Sequence, residues 1–336
     1  MASVREIAKQ AGVSTATVSR VINNSAKVSE VARQKVLSAI NDRSYTPKIG
    51  KISVSNLAYM FTDSTTLGSP YDAGILAGLS SGLEHNALDL LILNANTCRQ
   101  NGETFDDVFR RKGVCGAIVR TTFSSRMLCR ALLESNVPVV VVGDQIEDAE
   151  DQCVDVDSRQ ASREAVEHLI ELEHERIAFC TNIIDDKDHE DRLGGFMDAH
   201  QQAGLQADPK LLFRVPASRQ GGEQLARRLN TMHNPPSAIF VADPDTCVGV
   251  LNESRRLGLR IPEELSVVGF DDSDMRFSVS PTLSAVCQDA RQLGEEALRR
   301  VISRIADHRG HDIEPTEETP LKAWFEVNAS ASANVD

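Results

Sequence analysis

The sequence predicts a small all-helical head joined to a larger α/β body. Three observations carry this. Apolar residues in the N-terminal segment repeat at helical spacing. From about Leu57, apolar runs of strand length alternate with amphipathic stretches of helix length. Charge divides the chain at nearly the same place: residues 1–50 hold eight basic side chains against three acids, a surplus of five, while the whole chain stands at −13 and the remainder therefore at −18.

In the head, Val4, Ile7, Ala8 and Ala11 fall on one helical face. Gly12 supplies a turn, Val13 an apolar anchor, and Ser14 an N-cap for a second helix that buries Val18, Val21 and Ile22. Asn23-Asn24-Ser25 ends that helix. Ser29 caps a third, carrying Ala32, Val36 and Ile40. Two short helices around a Gly-containing turn, with a third in support, form the helix-turn-helix pattern. Such a unit points the N-terminal residues of its second helix into the major groove. Thr15, Ala16, Thr17, Ser19 and Arg20 lie off the buried face. Arg20 can bridge guanine O6 and N7, and Thr15 and Ala16 can touch thymine methyls. The amides at Ser14 and Thr15 can hold a phosphate. Taken alone, the pattern also fits an ordinary three-helix surface.

In the body, strands are predicted at 57–61, 90–93, 116–119, 138–142, 177–180, 238–241, 265–270 and 283–286. Helices are predicted at 72–85, 158–172, 191–203, 221–229, 246–257 and 290–305. This alternation means parallel sheets covered on both faces. About 270 residues exceed one comfortable sheet, so two lobes with a ligand-sized cleft between them are expected.

Composition excludes other classes. Hydrophobic residues at 41% and charged residues at 25% fit a soluble globular protein. There is no membrane-length apolar run and no secretory pattern at the N-terminus, so a cytoplasmic protein is expected. The seven cysteines are scattered without a C-x-x-C and read as reduced small hydrophobes. The run Asp185-Asp186-Lys187-Asp188-His189-Glu190-Asp191 lacks the Gly and terminal Glu of a calcium loop and reads as a solvated acidic loop at the cleft rim, so no metal is expected. No catalytic or nucleotide-binding motif is present, so neither an enzyme nor a cofactor is expected. A free small-molecule binding protein of periplasmic type is the rival reading; the basic head argues against it.

The run from Val4 through Asn23, followed by Val28-Ser29 and Tyr45-Thr46-Pro47, closely resembles the head of the lactose-repressor/galactose-repressor (LacI/GalR-type) family of transcriptional regulators. The resemblance extends through Ser69-Pro70-Tyr71, Val154-Asp155-Val156-Asp157, His174-Glu175-Arg176-Ile177-Ala178, Asp191 to Phe196, Pro236 to Phe240 and Gly258 to Asp272, to about Val327. It implies a dimeric, cytoplasmic repressor that binds a near-palindromic operator and answers to a small-molecule effector, a sugar or other polar metabolite. It implies a body like a periplasmic sugar-binding protein, with two parallel-sheet lobes and three chain crossings. The domains would be a head over 1–47, a linker over 48–56 and a body over 57–328. Lobe 1 would take about 57–157 and 289–317, and lobe 2 about 158–288 and 318–328. Residues 329–336 would be a disordered tail.

The DNA-contacting set expected is Ser14, Thr15, Ala16, Thr17, Ser19, Arg20 and Asn23, with Thr15, Ala16 and Arg20 on bases by resemblance. Ligands of parallel sheets sit beyond the carboxyl ends of the strands. Asp63, Asn94, Arg120, Asp144, Asp243 and Asp271 follow those ends. The resemblance adds Tyr71, Asp72, Asp188, Arg192 and Gln288, and gives Arg192 and Asp271 direct effector contacts. For each, a solvated loop or a structural ion pair is the alternative. Positions where relatives often carry stacking aromatics read Asp144, Ala217 and Ala290 here, which argues against a pyranose packed on Trp and leaves a polar or cationic ligand open.

One departure stands out. The family's linker usually carries an Ala-Arg-x-Leu segment whose Leu wedges into the minor groove. Here Lys48 to Asn56 is short, contains Gly50 and β-branched residues that disfavour helix, and holds no such segment. Unless Ile49 or Ile52 substitutes, the operator should be bent less and bound less tightly, with altered coupling to the effector.

Overall fold

The computed structural model describes residues 4–22, 28–42, 55–62, 67–310 and 321–334. Asn23, Asp63 and the linker from Lys48 to Val54 lie outside the described residues, as do the side chains of Val4, Ile22 and Ile40. The chain divides into two units, Met1–Ser55 and Asn56–Asp336.

The first unit consists of α1 (Val4–Ala11), α2 (Thr15–Ile22) and α3 (Glu30–Asp42). Gly12, at φ +64°, makes the turn between α1 and α2, a left-handed backbone that favours glycine. The Val13 amide then donates to the Ala8 carbonyl at 3.0 Å. Ile7, Ala8, Ala11, Val18, Val21, Val36 and Ala39 form one small core, with Val13 and Val28 against it.

The second unit contains β1 (Asn56–Phe61), α4 (Pro70–Leu83), β2 (Asp89–Asn94), α5 (Phe105–Lys112), β3 (Val114–Arg120), α6 (Arg126–Leu133), β4 (Val139–Val142) and β5 (Cys153–Val154) in its first stretch. There follow α7 (Arg159–Glu171), β6 (Ile177–Asn182), α8 (Lys187–Gln202), β7 (Leu212–Val215), α9 (Arg219–Asn230), β8 (Ala238–Val241), α10 (Pro244–Leu257), β9 (Ser266–Asp271), β10 (Ser284–Cys287), α11 (Ala290–His308) and β11 (Trp324–Glu326).

Two sheets result, in the orders β2-β1-β3-β4-β5 and β11-β10-β9-β8-β6-β7. The first forms lobe 1, whose two faces are covered by separate apolar clusters; Ile75 and Leu79 of α4 and Leu293, Ala297 and Val301 of α11 pack on one of them. The second forms lobe 2, again with a cluster on each face. Valine-rich strands buried on both faces, such as Val139–Val142, are what a covered parallel sheet requires. The chain passes between the lobes after β5, after β10, and between α11 and β11. Among the described residues no helix is long and apolar enough to cross a membrane. The cysteines are free thiols, five of the seven buried.

The two parallel-sheet lobes are as expected, with one antiparallel addition, β11 beside β10 at the edge of lobe 2. Two expectations are corrected. The acidic run is not a solvated loop. Asp186 accepts from the His189 amide at 2.8 Å and caps α8, which begins at Lys187; acids in a first helical turn complement its positive end. The last residues are not disordered through 334. Ser330 is buried, its Oγ donates to the Val267 carbonyl at 2.6 Å, and its carbonyl accepts from the Val267 amide at 2.7 Å. Ser332 and Asn334 continue the attachment to Ser266 and Leu172. The polar composition of this segment suggested disorder because its partners are backbone groups, which sequence does not display.

Candidate functional site

In the head, Ser14 Oγ accepts from the Thr17 amide at 3.1 Å and pairs with Thr17 Oγ1 at 2.9 Å. Ser14 thus caps α2, satisfying one of the amides that a helix start leaves open. Val18 and Val21 face the core, whereas Thr15, Ala16, Ser19 and Arg20 are exposed and Thr17 is half-buried. The exposed face of α2 carries a guanidinium fork, hydroxyls and a methyl, the groups that read base edges.

In the body, a cavity of about 220 Å³ lies between the lobes. That is below the roughly 300–1,000 Å³ of drug-sized sites, so it suits a small metabolite. Tyr71 and Arg120 come from lobe 1, and Asp188, Arg192, Asp243 and Asp272 from lobe 2. Five of these stand at a helix start or a strand's carboxyl end, and Arg192 lies one turn further along α8 from Asp188. Ser69 caps α4, accepting from the Asp72 amide at 3.1 Å, and so presents Tyr71. Gly143 closes against that side chain; a Cβ there would lie 2.7 Å from the Tyr71 hydroxyl and 3.6 Å from Asp188 Oδ2. Asp243 caps α10 through the Thr246 amide at 2.7 Å.

The two arginines are held differently. Arg120 Nε lies 3.2 Å from Asp72 Oδ1, an ion pair whose angle is not that of a hydrogen bond, and its Cζ is 5.0 Å from the Tyr71 ring centroid. Burial is the largest influence and opposes its charge, but Asp72, Tyr59, Tyr71 and Asp186 together outweigh it and raise its pKa. Arg192 lies over Phe270, Cζ to centroid 3.4 Å, and donates from Nη1 to the Ala242 carbonyl at 2.8 Å. Its Nη2 is 4.0 Å from Asp188 Oδ1. Its Nε, the Tyr71 hydroxyl and His189 Nε2 are buried without partners at this cavity. Buried polar atoms ordinarily have partners, so these three are open positions for ligand atoms.

Burial pushes the Asp272 carboxyl up to about 7, despite Arg192 and a hydrogen bond from Gln288. Burial likewise raises Asp188 against the pull of Arg192. It also raises the Tyr71 phenol, with Asp188 adding to the effect, so Tyr71 remains a donor. Burial works against Asp186 too, but His189, with Nδ1 at 2.6 Å, outweighs it and holds that carboxyl well below the usual range.

Of the nine predicted effector residues, Tyr71, Arg120, Asp188, Arg192 and Asp243 line the cavity; Asp72, Asp144, Asp271 and Gln288 do not. Asp72 sits behind Arg120, accepting from Tyr59 at 2.9 Å and Ser69 at 2.7 Å. Asp144 is clamped by Arg126 through Nε at 2.9 Å and Nη2 at 2.5 Å. Asp271 is buried, accepts from the amides of Ser273, Met275 and Arg276, and pairs with the Arg276 guanidinium at 2.9 Å. Gln288 Nε2 donates to Asp272 Oδ1 at 2.6 Å, so it supports the wall from behind. Asn94, also at a strand end, accepts from the Asn96 amide and does not line the cavity.

Asp272, Asp186 and His189 were missed. The signal for Asp272 was present: the first Asp of Asp271-Asp272-Ser273 can turn back on the amide two residues on, which removes Asp271 and leaves its neighbour for the cleft.

Residues 3–48 match the model of bacterial regulatory proteins of the lacI family, and residues 166–323 match a periplasmic binding protein-like domain. The HTH-type transcriptional regulator DegA of Bacillus subtilis (strain 168) is 27% identical over 305 residues, 88% of this chain and 89% of that protein. The ribose operon repressor of Haemophilus influenzae (strain ATCC 51907 / DSM 11121 / KW20 / Rd) is 28% identical over 326 residues, 94% of this chain and 97% of that protein. A solved structure of the transcriptional regulator CelR with cellobiose is 26% identical, covers 98% of this chain and 100% of its own, and has a TM-score of 0.68. The chain therefore belongs to the lacI family of bacterial regulatory proteins: it is a DNA-binding transcriptional regulator under small-molecule control, not an enzyme.

Proposed function

We propose that this regulator is a cytoplasmic homodimeric repressor whose effector sits in the cleft between the lobes. Tyr71 and Arg120 approach the effector from lobe 1, and Asp188, Arg192, Asp243 and Asp272 from lobe 2. The observation that carries this is the pair of buried, unpartnered donors at one cavity, Tyr71 OH and Arg192 Nε, on opposite lobes. A ligand bridging them favours the arrangement that holds both, and that differential affinity is what lets a small molecule shift a conformational equilibrium. The relative solved with cellobiose and the relative named for the ribose operon support a sugar or similar polar metabolite.

On DNA, Thr15, Ala16 and Arg20 read bases, with Thr17 and Ser19 beside them; Ser14 and its neighbouring amides set the helix start against a phosphate. Asn23, which lies outside the described residues, completes the proposed DNA-contacting set. A dimer follows from the two half-sites that paired helix-turn-helix units read. The test is a gel shift with genomic fragments, with and without a metabolite that raises the melting point. Retention of specific fragments, altered by that metabolite, supports the reading; retention of none overturns it.

A further inference from the structure

The charge balance of the cleft narrows the ligand. Five aspartates line it, Asp186, Asp188, Asp243, Asp245 and Asp272, against two arginines. Some are matched: Asp186 by His189 at 2.6 Å, and Asp245 by Arg219 at 3.7 Å. Arg120 already faces Asp72 at 3.2 Å and the charge of Asp186. Asp188 and Asp272 both lie in the field of Arg192, and Asp243 adds to the negative charge around Asp272. Asp243 and Asp272 each use one oxygen, on the Thr246 amide and on Gln288. An anionic ligand would therefore meet arginines already opposed by carboxylates, whereas Asp272 and Asp188 share Arg192, helped at Asp188 by His189 and Arg120, with Asp243 adding a further negative charge beside Asp272. Removing like charges from water without a counterion is costly, and a ligand cation offsets that cost.

We propose that the effector carries a protonated amine alongside hydroxyl groups, as an amino sugar does, and that Asp272 and Asp188, with Asp243, receive the ammonium. This rests on the cleft being the effector site. The unpartnered Tyr71 hydroxyl and Arg192 Nε, both buried at the same cavity, are independent of the acids and point to oxygen atoms on the same ligand. The upward displacement of Asp272 by burial agrees: the empty cleft favours a proton where the occupied cleft would hold an ammonium.

Calorimetry on the full chain at neutral pH tests this with matched probes: glucosamine, galactosamine and mannosamine; their neutral parents and ribose; glucuronate and galacturonate. At least one amine should bind about tenfold or more tighter than its neutral parent, a difference of about 1.4 kcal/mol. Asp272→Asn should abolish that preference without lowering the melting point, while the uronates stay weakest. Tightest binding by a neutral sugar or a uronate, or no binding by any amine, overturns the proposal. A neutral sugar or uronate whose binding is lost in Arg192→Ala leaves the cleft reading standing and overturns only the amine. Binding indifferent to Arg192→Ala contradicts the cleft reading itself.

Discussion

Asp271 is bound to Arg276 at 2.9 Å and accepts three backbone amides, so of these two adjacent acids Asp272, not Asp271, faces the cleft. Arg276 reaches further, to Asp274 at 2.7 Å and Glu326 at 3.1 Å, tying β9 to β11. The two neighbouring acids therefore do different work. Asp271→Asn removes one partner of a buried pair and should destabilise by about 3–5 kcal/mol. Asp272→Asn should not lower stability and should weaken effector binding. Denaturation and calorimetry on both variants separate the roles.

Asp272 also sets a pH dependence. Its folded pKa, about 7, stands above the ordinary 3.8. A carboxyl raised in this way binds more protons folded than unfolded, so its contribution is fully present below about pH 4 and lost as pH rises through about 7. The groups facing it are Arg192, Asp188, Asp243 and Gln288. Melting curves of the ligand-free protein should show Asp272→Asn raising Tm by about 2–4 °C at pH 8, equivalent to about 1 kcal/mol in a domain of this size. At pH 5 the gain should be smaller.

Arg20 is exposed on α2 and carries the one guanidinium of that helix. Arg20→Ala should cost about 1–3 kcal/mol of operator affinity and relax the preference at one base pair, as loss of a bidentate guanine contact does. Quantitative gel shifts on single-base operator variants check both effects.

The last residues act as a strap on lobe 2. Ending the chain at Asn328 removes the bonds of Ser330 to Val267 and Ser284, and of Ser332 to Ser266 and His174. At about 1 kcal/mol for each of these four bonds, Tm should fall by about 8–16 °C. DNA binding at low temperature should be unchanged.

The linker gives a prediction from sequence alone. Lys48 to Asn56 lacks an Ala-Arg-x-Leu wedge, so a circular-permutation assay should show weak central bending of the operator. A strong kink would mean that Ile49 or Ile52 takes the wedge's place.

Much of this architecture was legible because it rests on periodicity. The faces of α1 and α2, and strands such as Val139–Val142 and Ala238–Val241, announce themselves by spacing and by β-branched runs. Short elements did not. Helices α5 and α6, the two-residue β5, and the edge strands β7 and β11 are defined by caps and neighbours rather than by their own pattern. Strand ends supplied Arg120 and Asp243, and the family resemblance supplied Tyr71, Asp188 and Arg192; all five line the cleft. Sequence could not divide its acids between ligand and scaffold, because that depends on where Arg126 and Arg276 reach.

The central claim is that a ligand held by Arg192 in the cleft controls the hold of α2 on DNA. The most direct measurement is retention of a specific genomic fragment by wild type and by Arg192→Ala, each titrated with a metabolite that raises the wild-type melting point. The account predicts that both proteins retain the fragment, and that the metabolite shifts retention for wild type only. Equal shifts in both proteins, or no specific fragment retained by wild type, would contradict it.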